Sequence, residues 1–543
     1  MSATTFDYVI VGAGTAGCVL ANRLSEDPAV SVLLIEAGGR DWHPMIHVPA
    51  GFIRLMDHND ISWKYRTTGH PNTGSREIIY PRGRVLGGSS SINGLLYVRT
   101  FKEDLDEWAT LSDDSWRYEN ALPFYKKSET WLGKPSPTRG TNGFIQVDGV
   151  PEPPPVCHAA VEAGTKAGLT YVDDYNQSHT HNSVWYYQQT RDGRVRSSAA
   201  RAYLYRARSR KNLTIWTRCQ VSRLLVENKT CRGIELITRD EKKEVHAKRE
   251  VILSAGVIGT PQILQVSGIG PAEVLEEHRI RPVHTLKGVG RNFQDHYIVR
   301  ASYQVKDTLT ANERSRGLRL IGEVANWALR GKGLLTYSAS SVGAFYKTKY
   351  SDRTDMQYVM AGGSFQSGRI GQLETIPGVT MGAWQMRPKS RGHVKIRSAD
   401  ITVAPEIQPA YLSNPEDANI VCEGLKFART LFSHEPLARY VVKETIPGPE
   451  AVDDEALIAY ARANGQTVFH GAGTCAMGTD DAAVVDSQLC VRGIQGLRIV
   501  DASIMPRVTS TNTNATVLMI AEKAAAMILG AKDSATRSNA SSY

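Results

Sequence analysis

Four residues near the N-terminus have the types and spacing to hold a dinucleotide. Gly12, Gly14 and Gly17 form G-x-G-x-x-G, and Glu36 follows 19 residues after the last of them. In this pattern the first glycine permits a sharp turn, the second lets the backbone approach a pyrophosphate, and the third lets a helix pack on a strand. The N–H groups around Thr15 and Ala16, with the positive end of the helix dipole, would face the phosphates. Glu36, followed by Ala37, would accept hydrogen bonds from ribose hydroxyls and repel a 2′-phosphate. A second donor-rich stretch, GRVLGGSSSINGLLYVR at 83–99, could wrap a phosphate or a ring system. Near the C-terminus, His470 sits where a short apolar run passes into a glycine-rich loop, TVFHGAGTCAMG. Asp501 and Ala502 end another apolar run, and Asn512 and Asn514 stand at the start of an apolar helix, whose N-terminus offers donors and a positive dipole. Two other groups are set aside. His43 and His47 are four apart, but Pro44 and Pro49 spoil the helix a metal pair would need, and Cys475 has no basic partner to make it a nucleophile.

The elements that would position these residues are legible as patterns. Tyr8–Val11 is an apolar run long enough for a buried strand; Ala16, Val19, Leu20 and Leu24 follow at helical spacing, and Ser31–Ile35 reads as a second strand. This is a βαβ unit. Leu213–Val226 alternates as sheet strands do. Val251–Leu253 leads into a segment with Thr260 as the expected N-cap, Pro261 at the first helical position and Ser267-Gly268 at the end. Ala515–Leu529 is a helix by composition and spacing, with Gly530 able to end it and a small, polar tail over 531–543.

At 543 residues the chain exceeds a single compact core, so more than one domain is expected. Apolar residues make up 41% and charged residues 22%, an ordinary balance for a soluble enzyme. No run reaches the roughly 20 apolar residues of a membrane helix, and too few residues precede the first strand for a signal peptide. Seven cysteines without regular spacing argue against a disulfide framework, and together these favour the cytoplasm. The net charge of +9 comes from scattered basic residues with no nucleic-acid motif, which reads as a solvated surface.

Several stretches resemble the glucose–methanol–choline oxidoreductase family, which binds FAD. GRVLGGSSSINGLLYVR resembles the family's first signature and EVILSAGVIGTPQILQVSGIG, 250–270, its second; TRDGRVRSSAARAYL, GVGRNFQDH (288–296) and MRPKSRGHVKIRSAD have the same look. The resemblance implies an α/β fold: a Rossmann-like FAD-binding domain with a discontinuous substrate-binding domain on a mainly antiparallel sheet. It divides the chain into FAD-binding segments at 1–155, 201–296 and 461–530 and substrate-binding segments at 156–200 and 297–460. It implies FAD as cofactor and no metal, with Gly88, Ser90, Asn93, Gly94, Val221, Asp501, Ala502 and Asn512 as cofactor contacts beside the glycine-rich turn. It makes His470 the catalytic base. It implies an Asn or His partner 44 residues later, which falls on Asn514. The implied reaction is oxidation of a small-molecule alcohol, with electrons passed to a quinone, a redox protein or an artificial acceptor. An oxidase releasing peroxide, or a lyase or decarboxylase on the same scaffold, are the alternatives. No nucleic-acid partner and no integral membrane segment are expected.

Overall fold

The computed structural model describes residues 4–177, 180–238, 241–366 and 372–540. The last residues of the expected tail, 541–543, and part of the glycine-rich stretch at 367–371 lie outside them. The chain builds two large sheets. The first is seven-stranded and begins with Thr4–Val11, whose inner residues Val9 and Ile10 are fully buried. This strand is flanked in parallel by Val32–Glu36 on one side and by Lys242–Leu253 on the other. Leu213–Thr217 extends the parallel edge. The long strand Lys242–Leu253 forks. Its first half pairs antiparallel with Thr230–Ile237, and its end pairs parallel with Leu497–Ile499. The C-terminal ends of the parallel strands therefore gather Gly12, Glu36, Ser254 and Val500 at one edge, where ligands sit in open α/β sheets.

The helix Thr15–Leu24 follows the first strand directly and packs against the long C-terminal helix, Thr513–Ala540. That helix continues through Gly530 to Ala540 instead of ending at the glycine. Close approach explains the third glycine of the motif: a Cβ on Gly17 would lie 1.9 Å from the Gly12 carbonyl oxygen.

The helix after Lys242–Leu253 runs from Gly256 to Val266, beginning four residues before the expected Thr260 cap and carrying Pro261 inside it. Pro261 cannot donate to the Val257 carbonyl one turn back. The Thr474 hydroxyl donates to that oxygen instead, at 2.7 Å, and so satisfies the group that proline strands. Thr260 is free for another task and donates its hydroxyl to Asp501 at 2.6 Å.

The second sheet has eight strands, ordered Val441–Ile446, Tyr297–Val305, Gly378–Gln385, Met356–Ala361, Val342–Tyr346, Ser183–Tyr186 and Thr170–Tyr171, with Gln466–Thr467 added on Tyr297–Val305. All its pairings are antiparallel except the last, between Thr170–Tyr171 and Ser183–Tyr186. Side chains alternate along it with the period of two that strands impose. Tyr297, Val299, Ala301 and Tyr303 share a core with the helix Pro415–Ser433. Ile298, Arg300 and Ser302, with Thr380, Gly382 and Trp384 of the neighbouring strand, line a cavity that also takes in the glycine-rich edge of the first sheet. Ile145–Gly149 pairs with Glu129–Trp131 on one side and with Gln188–Asp192 on the other in a small third sheet.

Candidate active site

One cavity of about 880 Å³ runs from the glycine-rich turn to the face of the second sheet. Its inner end is made by Gly12, Gly14, Thr15 and Ala16, with Glu36, Ala37, Val221, Asp501 and Ala502 around them. Gly14 occupies the cap position of its helix without any side-chain cap, so the helix N-terminus presents bare backbone donors to the cavity. A Cβ at Gly88 would lie 2.6 Å from the Gly14 Cα. The two glycine loops thus nest against each other and leave a cradle open. These features fit an elongated dinucleotide with its pyrophosphate at the helix end.

Within this wall the structure redistributes several expected roles. The Glu36 carboxylate accepts the Ala13 N–H at 3.0 Å and the Gly38 N–H at 2.8 Å, and so braces the turn while still lining the cavity. Burial pushes its pKa up to about 7, against the pull of those two N–H donors. Asp501 accepts the Gly256 N–H, the Thr260 hydroxyl and the Ser503 N–H and is likewise raised by burial, so it ties the second βα unit to the C-terminal strand. Gly17 lies beneath the turn, off the cavity surface. Ser90 is a correction. Its hydroxyl donates to the Gly87 carbonyl at 2.6 Å and accepts the Ala199 N–H at 3.0 Å, so it fastens the loop from behind, whereas Ser89, Asn93 and Gly94 reach the cavity.

The other end of the cavity holds His470. Three residues before it, Thr467 ends the short strand Gln466–Thr467, which pairs with Tyr297–Val305 in the register Tyr297 opposite Thr467. On the other side of Tyr297–Val305, Ile298 stands opposite Trp384. Counting two residues back along this antiparallel pair brings His296 to Met386, and the His296 Nε2 lies 2.9 Å from the Met386 carbonyl oxygen. His296 Nδ1 lies 3.0 Å from His470 Nδ1. The preceding residue, Asp295, is fully buried. It accepts the His470 backbone N–H at 2.7 Å, the Thr467 hydroxyl at 2.6 Å and the Tyr411 hydroxyl. Phe469, in between, is held at φ +67°, the left-handed conformation disfavoured for bulky residues. The backbone around His470 is thus pinned on both sides.

These contacts fix a tautomer. A carbonyl oxygen only accepts, so His296 must carry its proton on Nε2. Burial depresses the pKa of His296 to about 4, so its ring is neutral and its Nδ1 is a bare acceptor. His470 must then donate from Nδ1, which leaves Nε2 unprotonated, with its lone pair as an acceptor. Burial is also the largest cause holding the pKa of His470 well below 6.5, followed by the neighbouring His296 and Arg82. Asn512 Nδ2 donates to His470 Nε2 at 3.0 Å, and its orientation is set by Gln357 Nε2, which donates to Asn512 Oδ1 at 3.2 Å.

The expected partner Asn514 is therefore not at the histidine. It accepts the Thr15 hydroxyl at 2.9 Å, on the side of the C-terminal helix that faces the glycine-rich turn. Asn514 is the second residue of the helix and Asn512 lies just outside it, so a count of 44 residues along the chain cannot choose between them. Asn512, the residue just before the helix, faces the histidine. The residues missed in sequence are His296, Asp295, Trp384 and Arg82. The stretch GVGRNFQDH had a signal in its last two letters, an acid and a histidine just before a strand.

The protonation of His470 gives a measurable consequence. Falling pH adds a proton to Nε2 and removes the lone pair, so turnover that depends on it should fall as pH drops through the depressed pKa. The acid limb of kcat/KM against pH is expected well below 6.5, with no loss from this group on the alkaline side. An acid limb centred at 6.5 or higher would contradict the buried, neutral assignment.

Comparison with known proteins agrees with this architecture. Two family models, the N- and C-terminal parts of GMC oxidoreductase, match residues 6–298 and 388–521. The chain is 37% identical to an "Alcohol dehydrogenase [acceptor]" of Pseudomonas putida, covering 98% of this chain and 97% of that one. It is 36% identical to an "Oxygen-dependent choline dehydrogenase" of Photobacterium profundum, over 97% and 93% of the two chains. Among solved structures, a pyridoxine 4-oxidase from "Mesorbium loti" superposes with a TM-score of 0.85 at 29% identity, covering 96% of this chain and 98% of that one. With both family models matched, a bare helix N-terminus on a nested glycine cradle and a full-length alignment to oxidoreductases, this chain belongs to the GMC oxidoreductase family and is an FAD-dependent enzyme acting on CH–OH groups.

Proposed function

We propose that this enzyme oxidises an alcohol to an aldehyde or ketone, with His470 as general base and Asn512 as its partner, and passes the electrons to an acceptor other than O₂. The observation that carries the reading is the tautomer chain from Met386 through His296 to His470, which leaves a lone pair on Nε2 facing the cavity. A substrate hydroxyl entering between Nε2 and the Asn512 amide would replace that amide as the donor to Nε2, give up its proton there, and accept the hydrogen bond that the amide now makes to Nε2. FAD, when bound, supplies the electron sink that takes the hydride from the carbinol carbon. The imidazolium that forms keeps its Nδ1–H on His296. Because His296 resists protonation until about pH 4, that acceptor persists through the reaction. The cavity wall beside the histidine combines apolar Ile298, Val359 and Trp384 with Arg300 and Gln466, so it suits an alcohol with an apolar body and a polar end.

The acceptor assignment rests on the full-length similarity to an alcohol dehydrogenase [acceptor]. Similarity to an oxidase structure supports the second reading, in which O₂ is reduced to peroxide. An alcohol panel run in air alone, then anaerobically with an artificial dye, separates them. Dye reduction at least tenfold faster than peroxide formation is expected; equal rates would favour the oxidase, and no turnover of any alcohol in either arm would remove the reading.

A further inference from the structure

The helix Gly317–Arg330 is amphipathic and is mounted the wrong way round for a soluble protein. None of its residues is buried. Leu318 is 85% exposed, Ile321 65%, Val324 45% and Leu329 84%. At 100° per residue these four fall on one side, with Ala325 between them. The opposite side carries the polar groups and faces the protein. Glu323 pairs with Arg314 at 2.6 Å and accepts the Leu334 N–H at 2.7 Å, and Trp327 Nε1 donates to the Arg194 carbonyl at 2.8 Å. Arg194 in turn donates to the Ala328 carbonyl. A helix that satisfies its polar face inward and leaves an apolar stripe outward has an unfilled surface.

Charge identifies what fills it. Between 314 and 332 stand five basic residues, Arg314, Arg316, Arg319, Arg330 and Lys332, against one acid, Glu323, which is turned inward. Glu313 and Glu152 offset Arg319 and Lys332 in part. The whole chain carries +9. An outward apolar stripe on a helix with exposed basic residues at both ends, Arg316 and Arg319 at its start and Arg330 and Lys332 at its finish, is a form that lies in the plane of an anionic bilayer, with the apolar side chains among the acyl chains and the cations reaching the headgroups. Area argues against a protein partner. A 14-residue helix is about 21 Å long, so a stripe about 10 Å wide offers about 200 Å². A stable dimer needs about 800 Å² per partner. A lipid surface needs no matched area of that size. Among the described residues no helix is long and apolar enough to cross a membrane, so the contact would be peripheral. The turn that follows the helix leads to Ala339, a residue of the cavity wall.

We propose that the exposed face of Gly317–Arg330 seats this protein on an anionic membrane surface. The test is sedimentation of the FAD-loaded full chain with vesicles of phosphatidylcholine alone and of phosphatidylcholine mixed with phosphatidylglycerol. Binding is expected to the mixed vesicles, weakening as salt is raised. The bound fraction should fall about tenfold or more in L318E/I321E/L329E, whose solution turnover of a water-soluble alcohol should match the parent chain. No sedimentation with the mixed vesicles would overturn the proposal. So would binding that the triple variant leaves intact. Concentration-dependent self-association that the triple variant abolishes, without vesicle binding, would overturn it in favour of a second copy of the chain as the occupant.

Discussion

Replacing His470 by alanine should lower kcat by about 10³-fold or more while the protein keeps FAD. The size of the loss follows from what the side chain is asked to do. Its Nε2 lone pair, at the substrate end of the cavity, is fixed in direction by a chain of hydrogen bonds. Removing it deletes proton acceptance and leaves Asn512 without its 3.0 Å acceptor. FAD should stay because the glycine cradle, Glu36 and Val221 lie at the other end of the same cavity and do not touch His470. Flavin absorbance per protein measures retention, and anaerobic stopped-flow reduction by an alcohol measures the chemical step. Reduction within threefold of the parent rate, with flavin retained, would refute the assignment of the base.

The second large effect is expected at His296, which touches no substrate atom in this reading and acts through His470. His296→Leu removes the acceptor for His470 Nδ1. The His470 ring is then free to hold its proton on Nε2, the wrong side, and to swing away from the cavity. A kcat loss of about 10²-fold is expected, because mis-set tautomers at comparable dyads are costly. His296→Gln is the discriminating variant. Its amide oxygen can accept from His470 Nδ1 while its NH₂ donates to the Met386 carbonyl, so it should recover a large part of the loss. A purely structural role would leave the two variants equally impaired, and the acid limb of kcat/KM would not move between them. Because the neutral His296 accepts from the Nδ1–H of the protonated ring, its replacement by an apolar side chain should shift that limb further below 6.5 in His296→Leu, and His296→Gln, which restores an acceptor, should bring it back.

The sequence carried a good part of this in local form. A buried strand, three glycines and an acid specify the dinucleotide turn, because each requirement is met within the 29 residues from Tyr8 to Glu36: a turn, a close approach, a helix start. His470 was legible for a similar reason, since it sits in a loop whose residues resemble one family's signature. The start of the helix at Gly256 was not. Proline at its sixth position looks like a first turn until Thr474, more than two hundred residues away, is seen to satisfy the carbonyl that proline leaves open. Ser90 was misplaced because a serine in a glycine-rich loop can turn to either side, and Ala199 takes it.

What the sequence by itself determined is therefore the kind of cofactor end, and it offered His470 as the candidate base: both depend on short-range geometry and residue type. What only the tertiary structure decided is how that base is set. Asn512 and Asn514 are chemically identical and two residues apart, and the start of the C-terminal helix between them leaves one on His470 and puts the other on Thr15. His296 is 174 residues from His470 and becomes its neighbour through the antiparallel register that puts Tyr297 opposite Thr467 and Ile298 opposite Trp384. Register is a property of paired strands and not of either strand alone. A slip of one residue would turn His296 to the other face, and the lone pair on His470 would no longer have a fixed direction.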